Sequence, residues 1–165
     1  MAEDTHAGHV HHAHGTHAAK SLNRVAFAAT WHCLTGCAIG EVLGVMIGTA
    51  LGWGNLETIV LAIVLAFLFG YSLTMLPLLR AGLAFGVAVP LALASDTLSI
   101  TVMEIVDNLI ILIIPGAMAA GLGDILFWSS LAFSLVIAFM AAFPVNRWLI
   151  ARGKGHAVIH AHHAH

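Results

Sequence analysis

The chain has 165 residues, of which 60% are hydrophobic and 8% charged, with a net charge of -2 and a mean hydropathy of +0.96. A soluble domain carries about 25% charged residues, so this composition excludes a water-soluble globule, and the absence of a basic patch excludes a nucleic-acid surface. What remains is an all-α integral membrane protein whose partner is the lipid bilayer, since each helical crossing takes about 20 apolar residues.

Residues 1–22 form a polar tail carrying His6, His9, His11, His12, His14 and His17 among Ala, Gly and Thr. The tail lacks apolar periodicity and is expected to be disordered, and its imidazoles suit transition-metal chelation. Lys20 and Arg24 precede a long apolar run, which reads as a first span rather than a cleaved signal. This span runs from about Val25 to Leu51, and the turn Gly52-Trp53-Gly54-Asn55 follows it with an interfacial tryptophan. The second span covers about Leu56 to Leu79, with Pro77 near its end and Arg80 beyond.

The stretch Leu83 to Ala120 would make a helix of about 57 Å, against a hydrocarbon core of about 30 Å. A break is expected between Pro90 and Asp96, where proline removes a backbone donor and Ser95-Asp96-Thr97 offers an N-cap. This predicts a short re-entrant half-helix over Leu83 to Ala94 and a third span from Thr97 to Ala119. A fourth span from about Ile125 to Phe143 ends at an exit interface marked by Pro144, Asn146, Arg147 and Trp148. Residues 23–150 thus form the membrane domain. Residues 151–165 form a second disordered, metal-chelating tail with His156, His160, His162, His163 and His165. Lys and Arg flank the termini and the middle loop and are missing from the other two loops, so the positive-inside rule places both termini in the cytoplasm.

Two stripes run side by side along the first span. Gly36, Gly40, Gly44 and Gly48 give a small-xxx-small pattern for close helix packing. A four-span unit is expected to form a homo-oligomer, for which this stripe offers a surface. Cys33, Cys37 and Glu41 form the second stripe, with His32 alongside. Thiols four residues apart on a helix suit one shared ion better than a disulfide. Buried cysteines also serve as small hydrophobes. A carboxylate at this depth costs about 2.5 kcal/mol or more, so Glu41 is a functional residue or a protonated acid bonded to a neighbouring helix. In the third span Thr97, Thr101, Glu104 and Asn108 fall within about 60° of each other, forming a polar seam flanked by Met103 and Asp107. With the first and third spans adjacent, His32, Cys33, Cys37, Glu41, Glu104 and Asp107 would meet as one metal site.

The segments Trp31-His32-Cys33-Leu34-Thr35-Gly36-Cys37-Ala38-Ile39-Gly40-Glu41 and Met103-Glu104-Ile105-Val106-Asp107-Asn108 resemble a family of small bacterial multi-span membrane proteins of unknown function. Some members carry copper-related labels. The likeness covers about Ala26 to Trp148 and implies a multi-pass protein of the bacterial inner membrane. The leading expectation is a protein that binds and transports copper or zinc as its transition-metal ion. Soft thiolates favour these ions, and Met46, Met75, Met103 and Met118 are compatible with copper. The alternative is a proton or other cation pathway using the buried carboxylates, with structural cysteines. His32 is the one histidine within a span, which excludes a bis-His haem in one chain, and no nucleotide or nucleophile motif points to an enzyme.

Overall fold

The computed structural model describes the backbone of residues 11–152 and the side chains from Leu22 onward. Its helices are α1 (His11–Leu51), α2 (Asn55–Arg80), α3 (Phe85–Ile113) and α4 (Ile125–Ala151). Each is long and apolar enough to cross a membrane, α1 through its portion Leu22–Leu51, and no strand occurs among the described residues. α1 starts within the segment expected to be a tail. The side chains of His11, His12, His14 and His17 lie outside the described residues, as do His6, His9, His156, His160, His162, His163 and His165 in their entirety.

The first turn falls where glycine chemistry puts it. Gly52 adopts φ +67, a left-handed conformation that ends α1, while the Trp53 N–H donates to the Gly48 carbonyl at 2.9 Å and satisfies one of its orphan acceptors.

The third span departs from expectation. α3 is continuous from Phe85 through Pro90 to Ile113, so there is no half-helix over Leu83 to Ala94 and no break before Thr97. Pro90 lies just past the first turn, and its missing N–H leaves only the Gly86 carbonyl without a donor, a tolerable loss near a helix start. The break occurs instead at Pro115-Gly116. Ile114, the residue before proline, is driven to an extended conformation with ψ 116, and Gly116 turns the chain with φ +81. The loop then closes through a short 3₁₀ turn, Ala117–Ala119. Excess length was therefore removed at the C-terminal end, where the run Leu109 to Ile114 masks the boundary. Asp96 is consequently not an N-cap. It sits in the middle of α3, fully buried, and accepts a 2.8 Å hydrogen bond from the Ser95 hydroxyl. α4 likewise continues through Pro144 to Ala151, so the expected exit interface is its last two turns.

The helices form an up-down-up-down ring in which α1 packs on α2 and α4, α3 closes the other side, and α1 and α3 also meet across the centre. The glycine stripe sets the α1–α2 contact. A Cβ on Gly36 would lie 2.7 Å from the Gly70 backbone, and one on Gly44 2.6 Å from Ala62. Gly40 faces the Ala66 backbone and Gly48 the Thr58 side chain. The stripe is therefore covered by the chain's own second helix and offers no surface to another copy. Leu56, Ile113 and Ile125 project outward with other large apolar side chains, as a lipid-facing surface requires.

Candidate functional site

Because α1 and α3 run in the same direction, their inward residues pair level by level. Cys33 lies against Ser99 and near Asp96, Cys37 against Glu104, and Glu41 against Asp107. All seven side chains are buried. Along α3 the distance from Asp96 to Asp107 is about 16 Å at 1.5 Å per residue, half the thickness of a hydrocarbon core.

The lower end of this column is tied by Asn146 of α4. Its amide donates to the Thr30 hydroxyl at 2.9 Å and to the Ser99 hydroxyl at 2.9 Å, joining α1, α3 and α4. Such interhelical bonds are worth about 0.6–2 kcal/mol each in a bilayer. Just above them, Cys33, Cys37, Ile100, Met103, Ala138 and Ala142 share an apolar cluster with Ala66. The thiols thus sit among hydrocarbon side chains, with Glu104 as the acid beside Cys37.

The upper end is open. A cavity of about 310 Å³ lies between the ends of α1, α2, α3 and α4 and the loop after α3. Glu41 and Asp107 form its floor, and Trp53 stands at its mouth about 18 Å further along α1. Glu41 is 6% exposed and Asp107 2%. Among the described residues no donor group meets their four carboxyl oxygens and the two acids face only each other, while Glu104 one level below meets the Cys37 thiol. Buried acids are normally paired with a counter-charge or a donor set, so this pair is an unusual place to leave charge.

The expected site residues divide accordingly. Cys33, Cys37, Glu41, Glu104, Asp107 and Met103 are brought to the α1–α3 interface. His32 is not. It lies on the side of α1 that meets α2, partly buried, with a buried Nε2 that lacks a partner among the described residues. The six expected metal ligands do not converge, since no group of three His, Cys, Asp or Glu among the described residues has the geometry to hold an ion.

The polar seam on α3 is also displaced. The buried face runs through Ala92, Ser95, Asp96, Ser99, Met103, Glu104 and Asp107, about 130° from the centre of the Thr97, Thr101, Glu104, Asn108 seam at 100° per residue. The two overlap only at Glu104. Thr97 and Thr101 donate to the carbonyls of Leu93 and Thr97 on their own helix, so neither needs an interior position. Thr97 also meets the Tyr71 hydroxyl at 2.9 Å. Asn108 is half-buried and donates to the Glu104 carbonyl at 2.9 Å.

Asn146, Ser99 and Thr30 were not expected as site residues. The period that finds them was present: Ser95, Ser99, Met103 and Asp107 recur every four residues, and the assumed break at Pro90 to Asp96 split that series.

Residues 22–155 match a family described as a domain of unknown function (DUF4396). No curated protein and no solved structure matches the chain.

Proposed function

The chain belongs to this family, and we propose that it is a multi-pass membrane protein that takes up a cation at the Glu41–Asp107 pair in exchange for a proton and passes the charge across the bilayer. One observation carries the reading: two mutually facing, unpartnered carboxyl groups close the bottom of an open cavity. Two acids in a low-dielectric site cannot both hold bare negative charge, so either a proton or another cation must sit with them. A site satisfied by either one is an exchange site. Glu104 and Cys37 extend the polar line inward, and Ser99, Asp96 and Asn146, all buried, lie further along the same interface.

Copper or zinc binding by the thiols is the second reading, supported by Cys37 lying directly against Glu104. It is the weaker of the two because the thiols share their surroundings with apolar side chains and no three-ligand group forms among the described residues.

Flux measurements separate these readings. Protein reconstituted in vesicles enclosing a pH-reporting dye is exposed to outside sodium, potassium, zinc, cuprous and alkylammonium ions in turn. At least one cation should drive proton release from the lumen. That response should fall at least tenfold in Glu41→Gln and in Asp107→Asn, and persist in the Cys33→Ser, Cys37→Ser double variant. A response untouched by both carboxyl substitutions refutes the acid-pair reading, and one abolished by the double serine variant transfers the role to the thiols.

A further inference from the structure

The cavity above the acid pair is far larger than an inorganic ion requires. It holds about 310 Å³, whereas one water occupies about 30 Å³, and sites for small organic molecules begin at about 300 Å³. Its walls are mostly hydrocarbon, with Trp53, Ile59, Ile111, Phe127 and Leu131 facing the space. No basic side chain lines it among the described residues.

Three polar wall groups are committed to their own helices, and Thr49 and Asn55 stand further along the wall. The Thr58 hydroxyl donates to the Gly54 carbonyl, the Ser130 hydroxyl to the Leu126 carbonyl, and the Asn108 amide to the Glu104 carbonyl. Glu41 and Asp107 are different: more than nine-tenths buried, facing the cavity, and met by no donor group among the described residues. A hard metal cation prefers six or more oxygen ligands, or retained waters, around it, and an apolar wall supplies neither. An ammonium ion bearing a hydrocarbon group fits both parts of the space. Its charge meets the acids, and its body displaces water from the apolar walls.

We infer that this cavity binds a small organic ammonium ion, with its nitrogen on Glu41 and Asp107 and its hydrocarbon part against Val45 and Ile111, the wall residues one turn along from each acid. The inference rests on the cation reading above and names the class of cation. The ammonium group can come from a free amine or from a phospholipid head group, whose chemistry at the site is the same.

The test is calorimetric titration of the full chain in detergent with benzylammonium chloride, benzyl alcohol, sodium chloride and zinc chloride. Benzylammonium should saturate a single site and benzyl alcohol should not bind. Glu41→Gln and Asp107→Asn should each weaken binding at least tenfold, with elution profile and unfolding midpoint showing that both variants fold. Ile59→Trp fills the cavity from the α2 wall and should abolish benzylammonium binding. Sodium or zinc binding that depends on the two acids, with no benzylammonium binding, overturns this inference and leaves the cation reading standing. Indifference of every cation to both acids overturns both. Repeating the titration in phosphatidylglycerol and in phosphatidylethanolamine nanodiscs identifies the source. Competition by the second lipid assigns the ammonium to a head group, and undiminished binding assigns it to a free amine.

Discussion

The two faces of α1 solve opposite problems with the same spacing. Toward α2 the residues at every fourth position are glycines, and the backbones come so close that a single Cβ would collide with Gly70 or Ala62. Toward α3 the residues at every fourth position are Cys33, Cys37 and Glu41, and the opposing groups are Ser99, Glu104 and Asp107. The first face is filled by backbone and small-side-chain contact, with His32 as the polar group on its line. The second keeps acids that nothing else in the described chain satisfies. Close backbone packing and buried acids are thus set on different faces of one helix, and the buried carboxyl groups of Glu41, Glu104 and Asp107 lie on the side toward α3.

The largest effect is expected on the glycine face. Gly40→Val drives a branched side chain into the Ala66 backbone, which cannot rotate away. Its cost should lie at the upper end of the ~1–3 kcal/mol typical of overpacking, read as loss of a monodisperse elution peak or a much lower unfolding midpoint. Gly48→Ala meets only the Thr58 side chain and should be milder.

Next is Asn146→Ala, which removes the donor shared by Thr30 and Ser99. Its cost should be about 1–2 kcal/mol, seen as a lower unfolding midpoint in detergent without loss of expression.

The acid face should behave in the opposite way. Glu41→Gln or Asp107→Asn relieves a buried acid pair of its need for a proton or cation, so thermal stability should hold or rise, changing by no more than about 1 kcal/mol. Cation uptake should fall at least tenfold. A matching loss of stability would mean that the acids are structural and would erase the contrast between the faces.

Smaller again is the Cys33→Ser, Cys37→Ser double variant. It should cost about 1 kcal/mol or less, because serine in a helix can bond to its own backbone, and cation uptake should survive. The smallest effect belongs to Thr97→Val, within about 0.5 kcal/mol by thermal unfolding. Its hydroxyl bonds to its own helix and to the partly buried Tyr71.

Much of this division was readable in advance. Long apolar runs separated by Gly52 and Arg80 mark the first two helices, and the four-residue spacing on α1 marks both of its faces. α3 was harder because two prolines compete to interrupt it. Pro90 looks like a breaker by composition, yet near a helix start it costs little. Pro115 sits at the end of an unbroken apolar run and stops the helix by forcing Ile114 into an extended conformation. Misplacing that break hid the buried series Ser95, Ser99, Met103 and Asp107, and made Thr97 and Thr101 look like its replacement. The cavity was not legible at all, because its walls come from the ends of four helices and a loop. Nothing in the local sequence places Trp53, Ile111 and Phe127 around one space.

The central claim, that a cation displaces a proton from the Glu41–Asp107 pair, is tested most directly by infrared difference spectroscopy of the membrane-embedded protein. Saturation with the bound cation should remove intensity from the carbonyl stretch of a protonated carboxyl group in the natural chain. The change should vanish in both Glu41→Gln and Asp107→Asn and remain in the double serine variant. A cation that binds fully without altering that band, or an alteration that persists in both carboxyl variants, would contradict the account.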